Sequence, residues 1–146
     1  RGLGDVYKRQ VMGDGELAEG SVWEGAMSAA HYKLDNLCAV VDMNRLQISG
    51  NPEDVMHHDD LHERFRSFGW HVIDVKNGNS IEELDAAFEE AKTVKGKPTV
   101  LIANTVKGCG SSVMENKASW HHHVPGDEEY EQIMKDLEER KEAALK

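Results

Sequence analysis

Short apolar runs punctuate the chain, and stretches of helical spacing lie between them. Leu37-Cys38-Ala39-Val40-Val41-Asp42 and Thr99-Val100-Leu101-Ile102-Ala103 are continuous, which suits strands buried on both faces. Trp70-His71-Val72-Ile73-Asp74-Val75 predicts a further strand. Glu19 to Lys33, rich in Ala, Met and Trp and free of Pro, predicts a helix. Asp59 to Phe68 predicts a short amphipathic helix, with Leu61, Phe65 and Phe68 on one stripe and Gly69 as its stop. Ser80 and Glu83 form a capping-box pattern, after which Ile81, Leu84, Phe88 and Ala91 space a helix to about Val94. Residues 43–58 carry Gly50-Asn51-Pro52 and read as a loop, and 108–112 as a Gly/Ser loop. A last helix is predicted from Asp127, with Tyr130, Ile133, Met134 and Leu137 as its packing stripe and acids before bases along it. Strands alternating with helices imply βαβ units: an α/β fold, a parallel sheet with flanking helices, and ligands at the carboxyl ends of the strands.

The opening ten residues, RGLGDVYKRQ, break this pattern. Gly2, Gly4 and the polar trio Lys8, Arg9 and Gln10 stand where a buried, central strand is expected to feed the next turn. Residues 1–10 are therefore read as a non-native leader, and 11–146 as a partial domain whose N-terminal part is missing. At 39% hydrophobic and 30% charged, the rest has the composition of a globular domain rather than a disordered one. Lys and Arg number 17 against 27 Asp and Glu, a net charge of −10 that argues against nucleic-acid or anionic-membrane partners. The two cysteines form no CxxC pair, and no apolar run approaches a membrane span, so a soluble cytoplasmic domain is expected.

Gly13-Asp14-Gly15 follows the apolar pair Val11-Met12 and precedes a helix. Glycines at such a turn let the backbone approach a phosphate group. The spacing is not that of the dinucleotide fingerprint, and a carboxylate aimed at a diphosphate repels it unless a cation stands between them. Gly-Asp-Gly thus suggests a divalent metal bridging protein and phosphate. The strand Leu37–Asp42 runs into Met43-Asn44-Arg45-Leu46-Gln47-Ile48-Ser49-Gly50, so a parallel neighbour brings Asn44 beside Asp14. A carboxylate, an amide oxygen and a nearby carbonyl make a hard-oxygen set of the kind magnesium takes. The competing reading is that both are plain turns. Elsewhere, His121–His123 is a poor transition-metal cage because consecutive side chains diverge. His57-His58-Asp59-Asp60 reads as a loop and helix cap, and Trp23, Trp70 and Trp120 as core or interface aromatics. Cys109, between two glycines, could be a reactive thiol, but nothing nearby shows the cationic neighbour pair that would mark one clearly.

The segment GDGELAEGSVWEGAMSAAHYKLDNLCAVVDMNRLQISG resembles the thiamine-diphosphate motif, which runs from GDG to an Asn about thirty residues on. Within that superfamily it resembles transketolase, and most closely the split form whose diphosphate- and pyrimidine-binding halves are separate polypeptides. Ser67-Phe68-Gly69-Trp70-His71-Val72, Asn104-Thr105-Val106-Lys107-Gly108-Cys109-Gly110 and Trp120-His121-His122-His123-Val124-Pro125 extend the likeness over residues 11 to about 137. The resemblance implies a thiamine-diphosphate-binding fold and a transferase of the pentose phosphate pathway type. Such an enzyme moves a two-carbon ketol unit from a ketose phosphate to an aldose phosphate with Mg2+ and thiamine diphosphate.

It implies that Asp14 and Asn44 are side-chain metal ligands with the Leu46 carbonyl as a third, and that Gly13 and Gly15 contact the diphosphate. Glu19 would face a second protomer near the paired cofactor sites. His122 would lie beside the diphosphate and substrate channel, with His121 and His123 as its alternatives because the family carries Gly at the place of His123. It further implies a pyrimidine-binding partner subunit that supplies the activating Glu, so that this chain is inactive alone. A deoxyxylulose-phosphate synthase or a 2-oxo-acid dehydrogenase component is the nearest enzymatic alternative. A non-catalytic α/β interaction domain is the other.

Overall fold

The computed structural model describes residues 7–47, 50, 52–56 and 60–145. Strands β1 (Lys8–Gly13), β2 (Leu37–Met43), β3 (His71–Val75) and β4 (Thr99–Asn104) form one sheet in the order β1-β2-β4-β3, and every neighbouring pair is parallel. The helices are α1 (Gly20–His31), α2 (Pro52–Val55), α3 (Leu61–Ser67), α4 (Ile81–Thr93) and α5 (Asp127–Ala144), with 3-10 turns at Gly15–Ala18 and Ala118–His121.

The continuous apolar runs are the two central strands, because each must present apolar side chains to both faces. Cys38, Val40, Leu101 and Ala103 pack with Ala87 and Ala91 of α4 on one face. Ala39, Val41, Val100 and Ile102 pack on the other with Ala26 and Ala29 of α1 and Leu61 and Phe65 of α3. Val41, Val100, Leu101 and Ile102 are fully buried, each stabilising the fold by about 1.5–3 kcal/mol. Small residues on α1 and α4 let these helices lie close to the sheet. Trp70 closes the α1 side, donating from Nε1 to the Ala26 carbonyl at 2.9 Å, with its ring 5.6 Å from Phe65.

The helix boundaries follow from their caps. Asp60 accepts from the His62 and Glu63 N–H groups at the start of α3, and these bonds, Glu63 foremost, hold its carboxyl below the usual range. Gly69, at φ +88°, ends α3 as the sequence predicts: its N–H reaches Arg66 O and that of Trp70 reaches Phe65 O, a Schellman pairing. His57, His58 and Asp59 lie outside the described residues, as do Ile48 and Ser49. At α4, Ser80 accepts from Glu83 N–H, but the Glu83 carboxylate turns to the Asn77 N–H at 2.9 Å, so the predicted capping box closes on the preceding turn. The 43–58 loop contains one helical turn, α2.

Two expectations need correction. The strand before Gly-Asp-Gly is not central: among the described residues β1 is an edge, pairing Lys8, Arg9 and Gln10 with Leu37, Cys38 and Ala39. Its composition accounts for this, since only Met12 of the strand is buried and Lys8 to Val11 are exposed. The α5 stripe packs far less than expected: Ile133 is half-buried, but Tyr130, Met134 and Leu137 are exposed at 56, 45 and 43%. Polar contacts tie α5 to the 108–112 loop instead, with the Ser112 N–H and Oγ donating to Asp136 Oδ2 at 2.6 and 2.7 Å. No helix among the described residues is long and apolar enough to cross a membrane.

Candidate functional site

The carboxyl ends of β1 and β2 lie side by side, Gly13 opposite Asp42, and the Asp14 N–H continues the ladder to Asp42 O at 3.2 Å. The chain then turns into the 3-10 segment Gly15–Ala18, fastened by Leu17 at 1% exposure and by Trp23 Nε1, which donates to the Leu17 carbonyl at 2.8 Å. Asp14 is 3% exposed. Its Oδ1 accepts from the Gly15 N–H at 2.8 Å and its Oδ2 from the Arg45 N–H at 2.6 Å. One carboxylate thus joins the two loops that follow β1 and β2.

The second loop is shaped to meet it. Asn44 Oδ1 accepts from the Leu46 N–H at 3.0 Å, closing an Asx turn. Between them Arg45 takes a left-handed backbone, φ +59°, which costs a non-glycine residue roughly 1–2 kcal/mol. The approach of the loops is tight: a Cβ on Gly15 would sit 3.2 Å from Gln47 Cγ, so the Gln47 side chain would have to yield by a few tenths of an ångström to accept it.

Gly13, Asp14, Gly15, Glu19, Asn44 and Leu46 all line one cleft of about 490 Å³, a volume suited to a cofactor-sized ligand. Two cationic or titratable residues complete its wall, Lys107 and His121. Lys107 Nζ lies 3.4 Å from His121 Nδ1. Desolvation first, then the charge of Lys107 and the neighbouring His122, push the His121 imidazole below its ordinary pKa. His122 stacks edge-on against it at 4.7 Å, while His123 turns to Glu129 at 2.8 Å and packs on Trp120 at 4.4 Å. The three histidines therefore diverge, and the one at the cleft is His121.

The donor set fits a hard divalent cation: a buried carboxylate, a carboxamide and main-chain carbonyls, all oxygen. A carboxylate has about four acceptor positions, so it can take N–H donors and a cation together. Three acids, Asp14, Glu16 and Glu19, line the same cleft. An anionic phosphate enters only with a cation between, and Lys107 alone does not balance them. Glu16 already takes a backbone donor of the turn, its Oε2 accepting from the Gly13 N–H at 3.3 Å.

Sequence reasoning misses Lys107; the signal that could find it is its position three residues past β4, on the carboxyl side of the sheet where ligands gather. Cys109 differs from its sequence reading, for Arg140 of α5 brings a guanidinium nitrogen 3.3 Å from its sulfur across 31 residues. Replacing Lys107 by Met is expected to raise the His121 midpoint, because the repulsion between the two positive charges is removed. An NMR titration of the His121 ring checks this; an unmoved midpoint would show that Lys107 contributes nothing to it.

The family profile described as "Transketolase, thiamine diphosphate binding domain" matches residues 2–143. One subunit of the apulose-4-phosphate transketolase of Phocaeicola vulgatus is 47% identical over 135 residues, covering 92% of this chain and 48% of that protein. Human transketolase is 45% identical over 128 residues, 87% of this chain and 20% of its own length. The crystal structure of transketolase from Campylobacter jejuni superposes with a TM-score of 0.85 at 29% identity, over 92% of this chain and 21% of that one. The chain thus spans a fifth of the single-chain enzymes and about half of the bacterial subunit.

Proposed function

Because the chain belongs to the transketolase thiamine diphosphate-binding domain family, we propose that it forms the diphosphate-binding part of a split transketolase. The complete protein transfers a two-carbon ketol unit from a ketose phosphate to an aldose phosphate, as in the pentose phosphate pathway, and works in the cytoplasm where such sugars are held. Its partners are a second protomer across a dimer interface and a pyrimidine-binding subunit. The Phocaeicola vulgatus relative is itself one subunit of a transketolase, which supports a divided enzyme.

The observation that carries this reading is the convergence of Asp14, Asn44 and Leu46 with Lys107 and His121 on one cleft. Thiamine diphosphate, when bound, supplies a nucleophilic carbon and an electron sink for cleaving a bond beside a carbonyl. The residues of this chain bind and orient. Asp14, Asn44 and the Leu46 carbonyl would hold Mg2+, with Gly13 and Gly15 giving the diphosphate close access to the backbone. Lys107 offsets phosphate charge. Glu19, on the rim ahead of α1, is the group offered to the second protomer. The role expected of His122 is assigned to His121, whose ring stands at the cleft wall. Residues 1–10 remain proposed as a non-native leader on their composition alone; Lys8, Arg9 and Gln10 pair in register with β2, and the family match begins at residue 2.

The test uses the full-length protein. Alone, with Mg2+ and thiamine diphosphate, it is expected to show no ketol transfer, and transfer should appear when the pyrimidine-binding subunit is added. Full turnover without that subunit would overturn the split assignment. Failure to retain the cofactor even with the subunit present would overturn the enzyme reading in favour of an interaction domain.

A further inference from the structure

The N–H that reaches Asp14 Oδ2 belongs to a residue held in an unfavourable backbone conformation, and its side chain shows what holds it there. The Arg45 guanidinium, though exposed, donates from Nη2 to Asn104 Oδ1 at 3.0 Å. Asn104 is the last residue of β4, opposite Met43 at the end of β2. Its Nδ2 donates to Asp74 Oδ1 and to the Val75 carbonyl, both at 3.1 Å, and its own carbonyl accepts from the Gly78 N–H at 2.7 Å. Asp74 in turn meets His62 Nε2 of α3 at 3.1 Å. A carboxamide fixed by the sheet at several points thus grips a long side chain that would otherwise sample many rotamers.

We propose that Asn104 is a positioning residue for the Asp14–Asn44 pair: its carboxamide fixes the Arg45 side chain and so keeps residue 45 in the left-handed turn that aims its N–H at Asp14. The geometry accounts for the chain of contacts from β3 through β4 to the loop after β2, none of which touches the cleft. Without the grip, residue 45 relaxes toward ordinary backbone angles, the N–H leaves Asp14 Oδ2, and Asn44 loses the turn that sets its amide. The inference rests on the metal-diphosphate reading of the cleft.

The test compares Arg45→Met, which keeps the stem and removes the donors, with Arg45→Lys, which keeps one donor, and with Asn104→Leu. In the full-length protein with its partner subunit, Mn2+ affinity in the presence of thiamine diphosphate is read by electron paramagnetic resonance, beside the melting temperature of the metal-free protein. Arg45→Met should weaken Mn2+ binding about five- to tenfold, the effect of one charge-assisted hydrogen bond in a partly exposed place, while the metal-free protein still melts cooperatively within a few degrees of the unaltered one. Arg45→Lys should restore affinity to within about twofold. The double variant with Asn104→Leu should lose no more than the larger single, as coupled partners do. Wild-type Mn2+ affinity in Arg45→Met, or additive losses in the double variant, would overturn the proposal. If the unaltered protein binds neither Mn2+ nor thiamine diphosphate, the functional reading falls, and the proposal with it.

Discussion

Asp14→Ala is expected to lower the magnesium-dependent affinity for thiamine diphosphate on the order of a hundredfold or more, and Asn44→Ala to do so nearly as strongly. Even residues that only orient a metal ligand change affinity by roughly 10–100-fold, and these two are assigned as ligands themselves. Asp14 supplies the negative charge of the set from a site 3% exposed. Its loss also leaves the Gly15 and Arg45 N–H groups without their acceptor, each costing about 1–3 kcal/mol if they stay dry. Asp14→Asn separates the two effects, since it keeps one acceptor and the side-chain volume but removes the charge. Titration calorimetry of thiamine diphosphate with and without Mg2+ on the full-length protein reads all three variants. Near-native, magnesium-dependent affinity in both Asp14→Ala and Asn44→Ala would sink the metal assignment.

That prediction was available from the sequence because its geometry is local to two neighbouring parallel strands. Apolar runs ending at Asp42 and at Ala103 identify strands buried on both faces, and a turn rich in glycine between strand and helix can be read without coordinates. Asp14 and Asn44 are thirty residues apart, yet the βαβ rule makes them neighbours. What stayed hidden depends on side chains meeting across long separations with no periodicity to announce them. Arg45 and Asn104 are 59 positions apart, and Cys109 and Arg140 are 31 apart. In neither pair does one residue's neighbourhood in the chain mention the other. The histidine run is opaque for a different reason. Consecutive residues at the end of a 3-10 turn point in different directions, and only the packing of His123 on Trp120 and Glu129 leaves His121 as the ring at the cleft. The edge position of β1 is masked because the two residues before the turn, Val11 and Met12, read as a buried strand, while only Met12 is buried.

Gly108→Ala is expected to destabilise the fold by about 2–5 kcal/mol, more than alanine at the chain's other turn glycines. Two independent costs meet at this position. Its φ of +70° is one that an L-residue adopts only at roughly 1–2 kcal/mol. A Cβ there would also lie 2.7 Å from Met114 Cβ and 2.8 and 2.9 Å from the Met114 carbonyl carbon and oxygen, and backbone cannot yield as a side-chain tip can. Overpacking of this kind costs typically about 1–3 kcal/mol. Two other glycines isolate the components. Gly96 has φ +74° with open space around its Cβ position, so Gly96→Ala should show the backbone cost alone. Gly78 has no left-handed φ, but its Cβ would meet Thr105 Cγ2 at 2.7 Å and Ala103 Cβ at 2.9 Å, so Gly78→Ala should show the packing cost alone. Denaturant unfolding of the three variants should give a Gly108 loss near the sum of the other two. The position matters for the site because Gly108 follows Lys107 directly, and the Asn116 N–H returns to the Lys107 carbonyl at 3.0 Å across the same loop. Relief of the clash must therefore shift the backbone that carries Lys107, so Gly108→Ala should weaken diphosphate binding as well, whereas Gly96→Ala should leave it unchanged. A Gly108→Ala protein as stable as the Gly96→Ala one would mean that the Met114 turn moves aside freely, and that the 108–114 loop does not fix Lys107 at the cleft wall.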